Sequence, residues 1–182
     1  MTRPINIAGL SPRIATGTGG ATLWQAQAEL GYRLPFDAAG PVGVTPFGRF
    51  EAAALSQNAL TEAGALSLNL DVAAQQATSL RSVLGMEVNG RVGSEQPLDL
   101  RLRLGWAHEY APLERPVAAS FAGAPGSWFT VYGAQPTRDS ATVAFDAALA
   151  LDARTAVGLH YDGAFASQAA DHVLKASLRF IW

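Results

Sequence analysis

Residues 171–182 read DHVLKASLRFIW. From Leu174, every second residue is apolar: Leu174, Ala176, Leu178, Phe180 and Trp182. Lys175, Ser177 and Arg179 stand between them, followed by Ile181. Side chains of an extended strand point alternately to its two faces, so this segment is a strand with one apolar and one charged face. It ends on an aromatic residue with no polar tail.

The same period recurs upstream. In ATLWQAQAELGYRL, Trp24, Ala26, Ala28, Leu30, Tyr32 and Leu34 oppose Gln25, Gln27, Glu29, Gly31 and Arg33. In SLRSVLGMEVNGRV, Leu80, Leu84, Met86, Val88 and Val92 oppose Arg81, Glu87, Asn89 and Arg91. LDLRLRLGWAHEY sets Leu98, Leu100, Leu102, Leu104, Trp106, His108 and Tyr110 against Asp99, Arg101, Arg103 and Glu109. TVAFDAALAL and RTAVGLHY repeat the pattern, and VGVTPFGRFEAAAL follows it loosely, with Arg49 and Glu51 on its polar side. Seven strands of roughly 9 to 15 residues result, longer than the ~5 to 6 usual in soluble sheets. A tilted strand needs ~9 to 11 residues to cross a bilayer core.

The connections alternate in length. FDAAGP (36–41), GSEQP (93–97) and LDAR (151–154) are short; 56–76 and 111–137 are long, and 163–170 is intermediate. Every short turn falls on one side and every longer loop on the other. This is the pattern of an antiparallel up-and-down outer-membrane β-barrel, with short periplasmic turns.

Composition agrees. Of 182 residues, 49% are hydrophobic and 15% charged, with a net charge of −2 and no cysteine. The charge gives no general attraction to nucleic acid. The lack of cysteine excludes disulfides and thiolate chemistry. No apolar run reaches the length of a membrane helix, and MTRPINIAGLSPR is not a secretory signal peptide.

Alternation by itself leaves two orientations open: apolar face to lipid, or apolar face to a soluble core as in a small ligand-binding barrel. Three features favour lipid. The polar face carries arginine and glutamate but almost no lysine. Aromatic residues sit near strand ends, as interfacial girdles require: Trp24, Tyr32, Trp106, Tyr110, Tyr161 and Trp182. Trp24 and Tyr32 are separated by about 26 Å of strand at ~3.3 Å per residue, close to the height of an apolar band when tilted.

LWQAQAELGYRL, VTPFGRFEAAALSQNALTEAGALSLNL, SLRSVLGMEV, LRLGWAHEY, SFAGAPGSWFTVYGAQPTRDSATV, HYDGAF and DHVLKASLRFIW occur in this order. Together they resemble the autotransporter β-domain, the translocator of type V secretion, over residues 21–182. The resemblance implies a twelve-stranded barrel in the bacterial outer membrane that exports a passenger to the cell surface. It also implies that the barrel-assembly machinery reads the last strand through Leu178, Phe180 and Trp182. Ser177 stands where the family usually has glycine, and Ala176 where it usually has a polar residue.

The seven strands correspond to the C-terminal part of that barrel, with PINIAGL (4–10) as a possible short eighth and residues 1–20 otherwise irregular. The expectation is therefore a fragment, a truncated reading frame, or one half completed by another chain. Its partners would be outer-membrane lipid, the assembly machinery, and a passenger segment or missing strands. The alternative is a small closed β-barrel, membrane or soluble, that binds a ligand or a protein.

Glu29, Arg49, Glu51, Arg81, Glu87, Arg101, Arg103, Glu109, Lys175 and Arg179 are assigned to the lumen face, as a mutually paired interior or as contacts for a passing segment. His108, His160 and His172 lie on different strands without metal-ligand spacing. Ser177 lacks the strained turn of a nucleophile elbow. No catalytic residue, metal site or cofactor is expected. Gly31, Gly85, Gly105 and Gly158 fall on the inner face, where a missing side chain permits close approach.

Overall fold

The computed structural model describes residues 1–9, 11–35, 42–94, 96–133, 135 and 137–181. The turn expected at 36–41 and Trp182 lie outside the described residues. In chain order the strands are β1 (Thr2–Ile5), β2 (Arg13–Thr16), β3 (Ala21–Gly31), β4 (Leu34–Pro35), β5 (Gly43–Gln57), β6 (Leu60–Thr61) and β7 (Leu70–Val72). There follow β8 (Gln75–Val92), β9 (Leu98–Glu109), β10 (Pro116–Phe121), β11 (Phe129–Tyr132), β12 (Asp139–Ala150), β13 (Thr155–Phe165) and β14 (Ala170–Phe180).

All seven period-two segments are strands, joined in the order β3-β5-β8-β9-β12-β13-β14, with β4 also paired to β5. Pairing from β8 to β14 is antiparallel throughout. Sequence neighbours are sheet neighbours, so the connectivity is up-and-down. The order has two ends, β3 and β14, among the described residues; a small closed barrel would need them joined.

The chain forms two compact units. Unit 2 comprises Gln27–Glu51, Leu80–Tyr110 and Pro136–Trp182. Its registers put the apolar residues of successive strands in rows. Val88, Leu102, Phe145, Tyr161 and Leu174 form one; Val92, Leu98, Leu149, Val157 and Leu178 form another. Of these side chains Val88, Val92, Leu102, Leu174 and Leu178 are exposed and the other five half-buried. The described buried apolar cluster is instead Phe47, Val83 and Ala107, on the opposite face. This inverts the arrangement of a soluble sheet, whose apolar face would be covered.

Unit 1 comprises Met1–Ala26, Ala52–Ser79 and Ala111–Gln135. Here the structure departs from the sequence reading, which left 56–76 and 111–137 as long loops. They contain a four-stranded sheet in the order β11-β10-β7-β6. Leu60, Leu70, Val72, Ala119, Phe121 and Phe129 share one of its faces by register, and the Phe121 and Phe129 rings stack at 5.4 Å. Strands of two to six residues are too short to show a period, which hid them. In the first twenty residues β1 and β2 form a hairpin, and the strand expected at 4–10 overlaps β1 only at Pro4 and Ile5. Thr16 and Ala63 exchange two backbone hydrogen bonds of 2.8 Å, tying the hairpin to the segment after β6.

Candidate functional site

The polar face of unit 2 gathers most of the chain's charge. Strand alternation puts Glu29, Arg49, Glu51, Glu87 and Arg103 on one side of β3, β5, β8 and β9, and the sheet order brings them together. Arg103 donates to Glu29 at 2.8 Å and lies 3.5 Å from Glu87. Its guanidinium also stacks over the Phe47 ring, 4.0 Å from the centroid. Arg49 lies 2.9 Å from Glu51 and 3.9 Å from Glu29. One arginine thus holds two carboxylates and a ring, and Glu29 bridges both arginines.

A second chain of charges runs across β9, β12 and β13. Arg101 donates to Asp146 at 3.2 Å, its direct register partner. The other Asp146 oxygen meets His160 Nδ1 at 2.6 Å, and His160 Nε2 bonds Asp162. Both ring nitrogens face carboxylates, an arrangement that an imidazolium satisfies in full. Lys175 is the register partner of His160 on β14. A recess of about 380 Å³ lies along this face, with Arg81, Arg101, Asp146, His160, Asp162 and Asp171 in its lining.

The remaining expected lumen residues are placed less centrally. Arg81 reaches Ser140 Oγ at 3.4 Å, and Glu109 Oε1 accepts the Leu80 N–H at 2.8 Å. Arg179 pairs in register with Ala156. Arg91 and Asp99 form a further pair at 2.6 Å near the 93–97 turn.

The opposite face carries the aromatic residues. Tyr32, Trp106 and Tyr110 are exposed there; Trp24, which belongs to unit 1, is exposed as well. At the end of β9, Trp106, His108 and, just past the strand, Tyr110 form a ladder with ring centroids 5.5 and 4.7 Å apart. His108 Nδ1 bonds Asp139 at 2.7 Å, and the Tyr110 hydroxyl lies 3.0 Å from that of Ser82. Tyr161 bonds His172 at 2.8 Å, and Phe165 packs edge-on against the same imidazole. His108 and His172 are thus members of aromatic clusters, and no metal-ligating cluster occurs among the described residues. Leu178 and Phe180 stand exposed on β14; Trp182 lies outside the described residues.

A sequence profile for the autotransporter beta-domain matches residues 1–162. The chain belongs to the autotransporter β-domain family. Its all-β, antiparallel up-and-down architecture is that of an outer-membrane translocator barrel, and the family implies a bacterial outer-membrane location. The match takes in the first twenty residues and stops within β13. No curated protein matches the chain.

Within this autotransporter domain, sequence reasoning set Asp146 opposite the apolar residues of its strand but named neither it nor Phe47 or Asp162 among the residues of the polar wall. Phe47 could have been found from Gly85 and Gly105, which stand opposite each other on the polar face and leave room for a ring. The two aspartates acquire their roles through register, which their own segments do not reveal.

Proposed function

We propose that this chain carries a passenger segment across the outer membrane, with the polar face of unit 2 lining the path and no catalytic step of its own. The observation behind this reading is the charge arrangement. Arg103, Arg49, Glu29, Glu51 and Glu87 are paired among themselves on a face whose reverse is apolar and rimmed by aromatics. A wall whose charges are already paired is polar enough to hold water yet grips no passing segment by a lone charge. The apolar face meets lipid, and the assembly machinery reads Leu178, Phe180 and Trp182 on the last strand.

Further strands complete the barrel. β3 and β14 are the first and last of seven strands that alternate in direction, so they run the same way. Closing them on each other would make a parallel pair. An antiparallel ring needs an odd number of added strands, and the five that the twelve-stranded family barrel leaves meet that condition. Open edges in hydrocarbon leave N–H and C=O groups unsatisfied, at several kcal/mol each.

The test fuses a signal peptide and reporter passenger to this chain, with and without five upstream strands taken from a family member. Protease added to intact cells should remove the reporter only when those strands are present. Surface exposure in both cases would remove the need for completion; exposure in neither would sink the translocator reading.

A further inference from the structure

Strand register sets three chemically distinct side chains in one transverse row on the apolar face of unit 2. Ser82 on β8 lies directly opposite His108 on β9, and His108 lies opposite Asp139 at the start of β12. Side chains directly opposite on antiparallel strands have Cβ atoms ~4.5–5.5 Å apart. His108 Nδ1 lies 2.7 Å from an Asp139 oxygen. A carboxylate only accepts, so Nδ1 carries the proton and Nε2 the lone pair. With Nδ1 turned toward β12, the opposite ring edge, which ends in Nε2, is turned toward Ser82. Ser82 is 5% exposed, and the Tyr110 hydroxyl lies 3.0 Å from its Oγ.

We propose that Ser82, His108 and Asp139 form a catalytic site that cleaves carboxylic esters carrying an apolar acyl chain. Ser82 is the nucleophile, His108 its base, and Asp139 the positioning residue that fixes the imidazole tautomer. The row next to them on the same face contains Leu84 and Trp106, and the row after it Met86 and Leu104, all four exposed. An acyl chain lies along these rows with its carbonyl at Ser82. A peptide suits them poorly, because its amides need hydrogen-bond partners and meet apolar side chains. The site is on the face away from the polar wall, so carrying a passenger needs no part of this chemistry.

The step balances with water as the only co-reactant. Ser82 Oγ attacks the ester carbonyl carbon while His108 Nε2 takes its proton, and the Tyr110 hydroxyl donates to the oxyanion that forms. The intermediate collapses, the bond from the carbonyl carbon to the alkoxy oxygen breaks, and His108 returns the proton to the departing alcohol. Water then attacks the acyl-serine by the same route, releasing the carboxylic acid and restoring Ser82.

The test uses the full chain, refolded in detergent and shown to be strand-rich by circular dichroism, with a long-chain alkyl fluorophosphonate as probe. Mass spectrometry should place the adduct on Ser82. His108→Gln should slow labelling by ~10²–10⁴-fold, the usual weight of a general base. Asp139→Asn should slow it as well, and Asp139→Glu should restore part of that loss. His172→Gln, in the other aromatic cluster, should label like the parent, which separates loss of the base from loss of fold. A p-nitrophenyl ester of a long fatty acid should be hydrolysed faster than p-nitrophenyl acetate. An adduct elsewhere or nowhere overturns the site, and so does an adduct on Ser82 that forms equally fast in His108→Gln. Equal hydrolysis of the two esters overturns the preference for an apolar acyl chain. None of these results bears on export of a reporter passenger, which is read separately.

Discussion

The ring of Phe47 fills the space in front of Gly85, where an added Cβ would lie 2.6 Å from the ring's Cζ. Phe47 is 8% exposed, on the face that otherwise carries the charges, and Arg103 lies over its other side. Gly85→Ala therefore forces the ring or the backbone to shift, at about 1–3 kcal/mol. Phe47→Ala empties the site and costs about 3 kcal/mol. The double variant should not recover the stability of Phe47→Ala alone, because the Gly85 Cβ also collides with the Leu104 carbonyl of the neighbouring strand. Urea midpoints of the refolded chain in detergent check all three.

A similar exchange occurs at the end of the sheet, with a different outcome. Gly158 faces Ser177 across β13 and β14, and a Cβ on Gly158 would lie 2.6 Å from Ser177 Oγ. The other atom near that Cβ among the described residues, the Ala147 carbonyl oxygen, is at an ordinary 3.7 Å. Gly158→Ala should destabilise the chain, Ser177→Ala should be nearly neutral, and the double variant should regain most of the loss. A thermal or denaturant midpoint for each of the three gives the coupling directly.

These two glycines show what the sequence conveyed and what it withheld. The seven long strands were readable because all but the loosely alternating 42–55 segment repeat their period clearly, and their alternation separated Arg101, Arg103 and Glu29 from the aromatic face. Partner choice was not readable: Arg103 and Glu29 are 74 positions apart, and only register joins them. Parity alone puts Phe47 on the face of Arg49 and Glu51, but nothing in the loosely alternating VTPFGRF tells that its ring packs under an arginine. In unit 1, β7 is held by pairing with β10, far along the chain, which local periodicity cannot report.

The two neighbouring arginines of β9 should differ in weight. Arg103 engages Glu29, Glu87 and Phe47 with its side chain 21% exposed; Arg101 engages Asp146 with its side chain 49% exposed. A half-exposed single pair contributes about 0–1 kcal/mol. A stacked cation adds about 0.5–2 kcal/mol beyond its ion pairs. Arg103→Gln should lower the urea midpoint clearly, Arg101→Gln only slightly. Arg103→Lys should remain impaired, since an ammonium lacks the planar fork that serves two carboxylates over a ring. Equal losses for Arg101→Gln and Arg103→Gln would show that the Phe47 stack contributes nothing.

The N-terminal hairpin should come loose in acid. Arg3 donates to both Glu62 oxygens, at 3.2 and 2.6 Å, and to the Leu68 carbonyl at 2.7 Å. Glu62 also accepts the Leu70 N–H at 2.9 Å, and its side chain is 1% exposed. The hydrogen bond from Arg3 holds the Glu62 carboxyl below its usual range, with the Leu70 N–H acting in the same direction and burial opposing both. A carboxyl depressed in the folded state stabilises it fully above the unfolded value, about pH 4.3, and loses that contribution as pH falls through the folded value. The Thr16 and Ala63 amides, which pair across this junction, should keep their hydrogen-exchange protection, corrected for intrinsic rate, from neutral pH down to about pH 4.3, then lose it below. Glu62→Gln should weaken protection already at neutral pH, because it leaves Arg3 uncompensated against a buried partner; breaking such a pair costs about 3 kcal/mol. Protection that is the same at neutral pH in Glu62→Gln and the parent chain would show that the Thr16–Ala63 bridge holds the hairpin without the ion pair.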